Sequence, residues 1–313
     1  MTRVPVRRAV PSLLLASLAA GALTTARPAR ACSVCACGDP LLTSSDPAAI
    51  SGRLRVQLDT EYLRVDAGNE ADPSFTDELT QWSYRLNLVY RPTDALSLTA
   101  TLPVVNKAMR MAGGGTSTPT SNATGLGDAE LAARYALWRG VDLGIGRAQE
   151  VALTAGTSMP TGPNDLQSGG ERIDEHGQPG TGGWSPFAGL HYRFEQGSWL
   201  GFASLSGRVH SENGFGYTYG SALLWSAHGQ WFPTKRLVLD LGLDGRHAAA
   251  DTQGGETVVN TGGTVLAAAP GVYANAAGGA WLFVRGQIPL YKSFRGEQDQ
   301  LPSVVAGVQY QVR

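Results

Sequence analysis

The chain is poor in charge, in cysteine and in anything that reads as a helix. Charged residues fill 16% of 313 positions, 25 basic against 26 acidic, for a formal net charge of −1. That balance gives no electrostatic footprint for nucleic acid and excludes it as a partner. Mean hydropathy is −0.11, far below that of a bundle of membrane-spanning helices. There is no G-x-S-x-G and no H-E-x-x-H, and the glycine-rich "MAGGGTSTPTSNATG" lacks the Gly-Lys-Ser/Thr ending of a phosphate loop, so it reads as flexible loop. The five histidines (His176, His191, His210, His228 and His247) are scattered, and the chain reads as a non-enzyme. His228 beside Ser226 on one strand is the single pairing that a hydrolase would use. "ERIDEHG" (Glu171–Gly177) groups acids with a histidine and reads as a solvated outer loop, with a divalent cation bridging lipopolysaccharide as the alternative.

Cysteine occurs only as Cys32, Cys35 and Cys37 in "ACSVCACGDP". Ala36 follows Cys35, where covalent haem attachment needs His. A closed zinc site wants four ligands, and no histidine lies nearby. Three thiolates suit a soft ion such as Cu(I). In an oxidising compartment Cys32 and Cys35 can instead pair, leaving Cys37 free or bonded to a periplasmic partner. The residues before them have a basic start (Arg3, Arg7, Arg8), an apolar run from about Val10 to Leu23 and a small-residue ending at Ala29-Arg30-Ala31. This is a secretory signal over residues 1–31. The expected organisation is that signal, a cysteine-bearing periplasmic segment over 32–51, and one domain over 52–313.

What the chain has in abundance is alternation. In "RLRVQLDTEYLRV" Leu54, Val56, Leu58, Thr60 and Tyr62 share one face, opposed by Arg55, Gln57, Asp59 and Glu61. In "QWSYRLNLVYR" Trp82, Tyr84, Leu86, Leu88 and Tyr90 oppose Gln81, Ser83, Arg85 and Asn87. Period two marks strands with one apolar face. About twelve such segments follow one another, including Tyr217–Trp231 as the eighth. Short connections ("RPTDA", "EQGS", "FPTKR") alternate with long polar ones, among them Lys107–Gly125 and Gly162–Gly183. That rhythm predicts an all-β, antiparallel, up-and-down transmembrane barrel of about twelve strands.

Aromatic placement agrees. Tyr90, Trp138, Trp199, Trp231, Trp281 and Tyr310 fall at one set of strand ends, and Tyr62, Trp82, Trp184, Tyr217 and Tyr291 at the other. Two girdles are expected at the two membrane interfaces. The face opposite the apolar one carries Arg55, Asp59, Glu61, Arg85, Asn87, Glu130, Arg134, Asp240, Asp244, Arg246 and Arg285. So many charges suit a wet lumen, with the apolar face turned to lipid and lipopolysaccharide. Pro103 and Pro289 lie inside strands, where a missing N–H marks a bulge, a kink or a strand end; in a transporter such a break opens a side exit toward lipid.

Several phrases occur in a fixed order: "GLGD" at Gly125–Asp128, "MPTG" at Met159–Gly162, "NTGGTVLAAAPGVY" at Asn260–Tyr273 and "GQIPLYKSFRGEQ" at Gly286–Gln298. In this order and spacing the chain resembles, over residues 52–313, the family of outer-membrane transporters named for the MetA pathway of phenol degradation. The closing "GVQYQVR" also resembles the C-terminal signal read by the outer-membrane assembly machinery, without its final aromatic and with Arg313 added. The resemblance implies a porin-like barrel in the outer membrane of a Gram-negative bacterium, passing a small, apolar or aromatic solute. The alternative, from another class, is a barrel that anchors a metal-binding or electron-transfer accessory built on the three cysteines.

Overall fold

A computed structural model describes residues 53–68, 75–113 and 116–312. The three cysteines and the expected signal lie outside them. Twelve strands alternate up and down: β1 (Leu54–Gly68), β2 (Phe75–Tyr90), β3 (Leu96–Gly113), β4 in two pieces (Thr116–Leu126 and Ala129–Asp142), β5 (Arg147–Met159), β6 (Ser185–Gln196), β7 (Trp199–Arg208), β8 (Ala222–Thr234), β9 (Leu237–Ala248), β10 (Gly263–Ala277), β11 (Ala280–Phe294) and β12, also in two pieces (Gln298–Gln300 and Ser303–Val312). Each pairs antiparallel with its neighbours, and β12 returns to β1 from Leu54↔Val312 to Tyr62↔Val304. The sheet is a closed barrel, so no strand edge in the ring is left for lipid to meet. Among the described residues no helix is long and apolar enough to cross a membrane.

The alternation explains the two surfaces. Leu58, Leu102, Leu131, Leu153, Leu190, Leu205, Leu241 and Val284 are exposed on the outer face, a belt that only lipid satisfies. Tyr90, Trp138, Trp199, Trp231 and Tyr310 are exposed toward one rim, and Trp199 stacks on Trp231 with centroids 6.1 Å apart. Trp82, Trp184 and Tyr291 are exposed toward the other, where Trp82 packs on Tyr62. Two aromatics expected in the girdles are not there. Trp281 packs inside, against the cluster of Val238, Tyr273, Phe283 and Val305. Tyr217 is fully buried and belongs with Thr218 to a small outer sheet paired to Thr252–Gln253, so the eighth strand begins at Ala222 rather than at Tyr217.

The expected loop over Lys107–Gly125 is instead a continuation of β3 and β4, paired from Gly113↔Thr116 to Val104↔Leu126. Its alternation is hidden from a hydropathy reading because the outward side turns polar. Asn106, Asn122 and Thr124 replace the leucines, and Asn106 Nδ2 donates to the other two. The hairpin has left the lipid. Both prolines coincide with irregularities. Pro289 sits where the β10–β11 register slips between Leu266↔Tyr291 and Ala267↔Pro289. Pro103 faces the break between the two pieces of β4, with Gly127 N–H donating to its carbonyl at 2.9 Å.

Candidate functional site: the barrel interior and its outer cap

The inner wall is built by register. His228 on β8 lies directly opposite Gly242 on β9. Residues two before and two after Gly242, on the same face, are Asp240 and Asp244. The glycine leaves a gap between two carboxylates, and the imidazole fills it: a Cβ on Gly242 would overlap the ring. His228 Nδ1 is 3.0 Å from Asp240 Oδ1, and Nε2 is 3.0 Å from Asp244 Oδ1. An imidazolium donates to both at once. Phe202, opposite His228 on β7, covers the ring face to face with centroids 4.7 Å apart.

From the other side comes Arg285 on β11. Gly271 stands between it and Asp240 in the register, and a Cβ there would lie 2.8 Å from Arg285 Cγ. The bare glycine lets the arginine stem cross β10. Its guanidinium reaches Asp240 at 3.9 Å and Asp244 at 3.8 Å. Gln287 Nε2 donates to Asp244 at 3.0 Å, and Gln230 Nε2 to Asp240 at 3.4 Å. The whole group is buried. Two carboxylates thus meet an imidazole and a guanidinium, which compensates charges that burial alone would penalise heavily.

A second network covers β1–β3. Arg85 Nε donates to Asp59 and Nη1 to Glu61, each at 2.7 Å, and all three are buried. Asn87 Nδ2 and Gln57 Nε2 donate to the other Asp59 oxygen at 2.8 Å, and Thr101 donates to Asn87. Spanning β5 and β6, Arg208 Nη2 on β7 donates to Glu130 on β4 at 2.7 Å and lies over the Phe187 ring. Near the lower rim Arg134 and Arg139 share Glu150, at 2.7 Å each. Arg246 is buried on β9, and Arg55 is partly buried on β1. Of the eleven residues assigned to the polar face, the structure thus draws Asp59, Glu61, Arg85 and Asn87 into one network and Asp240, Asp244 and Arg285 into another. Glu130 and Arg134 engage other partners.

Three things escaped the sequence. First, inward positions include apolar groups: Leu200, Phe202 and Phe232 with the Val238–Tyr273–Phe283–Val305 cluster, and, toward the outer mouth, Leu63, Val65, Ala67 and Leu79 with Met109 and Phe294. They share strand faces with the charges, so alternation alone cannot separate them. Second, Ser226 does not serve His228; its hydroxyl lies 2.6 Å from that of Ser204. Third, "ERIDEHG" is not a solvated loop. Residues 175–181 are buried in succession, and Lys107, on the inner face of β3, donates to the Gln178 carbonyl at 2.7 Å. The segment therefore folds inside the wall, across the outer mouth.

This cap is held by three loops. A short 3-10 turn, Glu175–Gly177, is started by Asp174, whose carboxylate accepts from His176 N–H at 3.0 Å. His176 Nε2 lies 3.0 Å from both Tyr217 Oη and Asp251 Oδ2, and Tyr217 donates to the same oxygen at 2.6 Å. Asp251 Oδ1 accepts from Gly220 N–H at 2.7 Å. Burial alone would raise the Asp251 carboxyl, but the hydrogen bonds from His176, Tyr217 and Gly220 hold it below the usual range. Burial pushes the Tyr217 hydroxyl up and the Asp174 carboxyl up to about 6. Arg172 binds Glu175 through both terminal nitrogens at 2.8 and 2.7 Å and stacks over Phe215 at 3.6 Å.

The recurring phrases meet at the rim. Asp128 of "GLGD" accepts from Gly162 N–H of "MPTG" at 3.0 Å and from Thr181 N–H at 2.8 Å. Thr161 Oγ1 accepts from Ala129 N–H. Asn260 of "NTGG", in the left-handed region at φ 53°, accepts from Glu297 N–H at 3.0 Å and donates to the Gly68 carbonyl at 3.3 Å. These phrases are joints where loops leave the wall. Among the described residues no cluster of three or more His, Cys, Asp or Glu is arranged to hold a metal ion.

No protein-family model matches the chain, and no curated protein does. Among solved structures, the COG4313 outer membrane channel from Pseudomonas putida F1 is similar over 85% of this chain and 99% of that one, with TM-score 0.62 and 14% identity. The translocator domain of the autotransporter NalP from Neisseria meningitidis is matched over 85% of this chain and 90% of that one, with TM-score 0.45 and 14% identity. The CymD monoaromatic hydrocarbon channel is matched over 84% and 89%, with TM-score 0.42 and 8% identity. The first of these likenesses is one of fold. Together with the closed sheet and its lipid-facing belt, it defines the chain as an outer-membrane β-barrel.

Proposed function

We propose that this barrel passes a small molecule across the outer membrane, and that the solute is apolar or aromatic with a polar end. The observation that carries the reading is the inner wall. Paired charges on Asp59, Glu61, Arg85, Asp240, Asp244 and Arg285 adjoin aromatic surface on Phe202, Phe232, Tyr273 and Phe283. Polar and aromatic groups thus alternate along the inner face, the mix of weak, repeated contacts that suits a conduit for such a solute. Shared fold with a channel from Pseudomonas putida F1 and the ordered phrases of the phenol-degradation family support it. The solute itself, the lipopolysaccharide contacts and the state of Cys32, Cys35 and Cys37 belong to this proposal.

The test is reconstitution. A gel-mobility shift on boiling establishes the folded barrel, and planar-bilayer recordings then establish conduction. Arg134→Glu is the informative variant. Arg134 is paired to Glu150 at 2.7 Å and keeps some exposure, so reversal leaves the buried networks intact. Ion selectivity should shift toward cations. Unchanged selectivity would count against a conducting lumen lined by this face. Arg85→Glu is a poorer probe, because it would bury three carboxylates together.

A further inference from the structure

We propose that residues 160–184 form an outer gate, latched across three loops by His176, Tyr217 and Asp251 and held shut more tightly in acid. The inference deepens the channel reading and rests on it for its consequence, but not for its geometry. The latch spans long separations: His176 meets Tyr217 across 41 residues and Asp251 across 75. Around that latch, Arg172 lies over Phe215 at 3.6 Å, Asn213 Nδ2 donates to Glu175 at 3.3 Å, and Trp184 N–H donates to the Ser211 hydroxyl at 2.9 Å. Tyr219 donates to the Glu175 carbonyl at 3.0 Å, and Asn213 Nδ2 to the Thr181 carbonyl at 3.1 Å. The far end is hinged at Gly162 and Gly180. Their backbones approach so closely that a Cβ on Gly162 would lie 2.7 Å from the Leu126 carbonyl oxygen and 2.8 Å from Gly180 Cα. A segment joined to the wall at Asp128 and through the Lys107 contact to Gln178, and latched to the other loops by one buried polar cluster, opens as a unit once that cluster is broken.

The charges give the sign. Asp174, Glu175, His176 and Arg172 face one another on the gate. Tyr217, Tyr219, His210 and Asp251 face them from the two other loops, and Lys107 from β3. Glu175 is neutralised by Arg172. Asp174 starts the buried turn, and burial raises its carboxyl to about 6, offset in part by His176. A carboxyl raised in the closed form favours closure fully below its ordinary value of about 4, and loses that favour as pH rises through 6. Asp251 is held the other way and stays ionised at pH 5, so the latch survives while Asp174 takes its proton. Linkage through Asp174 alone makes the closed-to-open ratio about tenfold larger at pH 5 than at pH 7.

Hydrogen exchange of the full chain in proteoliposomes reads this directly. After correction for intrinsic exchange, amides of residues 173–181 should be about tenfold better protected at pH 5 than at pH 7. Asp174→Asn, neutral at every pH and still able to accept from His176 N–H, should be protected equally at both. Tyr217→Phe, the mildest break of the latch, should lose protection at both, and open-channel probability in bilayers should follow the same order. Equal protection of the unaltered chain at the two pH values overturns the proposal, as does a pH response that persists in Asp174→Asn. If the barrel conducts nothing at either pH, the channel reading fails, and amide protection still decides the latch.

Discussion

The molecule buries two histidines against aspartates, and the two sites are assembled in opposite ways. His228 meets Asp240 and Asp244 across adjacent strands, twelve and sixteen residues away, at positions dictated by period two and by one missing side chain at Gly242. His176 meets Asp251 and Tyr217 because three loops converge over the mouth. The first is a product of the sheet and cannot move without the sheet. The second is a tertiary contact between loop segments that lie outside the strand ladder and touch the wall only locally, as at Lys107 and Asp128. Chemistry that looks alike on paper therefore serves rigidity in one place and motion in the other.

The largest effect is expected from forcing the sheet site apart. Gly242→Val puts a branched side chain where the imidazole lies. His228 must leave, and the buried Asp240 and Asp244 lose the imidazole that bridges them, keeping only Arg285 at 3.9 and 3.8 Å and their glutamine contacts. Breaking a buried ion pair from one side costs about 3–5 kcal/mol, so the barrel should lose its boiling-dependent gel shift or unfold at clearly lower urea. A fully stable Gly242→Val barrel would show that the pairing across β8 and β9 carries little of the fold.

His176→Ala is the matching cut in the cap, and it should be milder. The loss of hydrogen bonds to a buried carboxylate is worth about 1–3 kcal/mol, and it falls on a local opening rather than on global unfolding. Urea unfolding of the barrel should stay unchanged while proteases gain access to residues 160–184. If the unfolding midpoint moves as far as in Gly242→Val, the cap is part of the barrel's cooperative unit and the contrast between the sites collapses.

How each site reads in the sequence follows from the same contrast. The twelve strands, their alternation and the placement of Asp59, Arg85, Asp240 and Arg285 on the polar face are legible, because strand geometry is local and two-fold. The partners of these charges are less so. That His228 sits in the gap of "DLGLD" depends on a register that pairs it with Gly242, and no residue announces the register. The hairpin over Lys107–Gly125 was hidden by a change of solvent: once outside the lipid, a strand no longer needs an apolar outward face. Trp281 and Tyr217 look like girdle residues by position along the chain, yet the side they occupy is set by one step of the pleat and by a strand that starts five residues later. The cap left a trace only in composition, as acids and a histidine in one long connection.

The smallest effect sharpens the comparison on glycine itself. Gly207 and Gly229 lie on the outer, lipid-facing side of β7 and β8, and a Cβ built on either meets nothing within 4 Å. They are not in the left-handed region, so alanine fits their backbone without strain. Replacing glycine by alanine in a strand restricts the unfolded chain and adds a methyl group that lipid accepts, a gain of about 0.4–1 kcal/mol. Gly207→Ala and Gly229→Ala should therefore unfold at slightly higher urea, each by that small increment and additively, since Gly207 pairs with Leu223 and Gly229 with Gly201, well apart along the adjoining strands. Destabilisation by either would mean that the outer face is packed against something other than lipid. The same residue type then has two meanings in one barrel: outward it is a neutral lapse in the apolar belt, and inward at Gly242 and Gly271 it is the space through which His228 and Arg285 reach a shared pair of carboxylates.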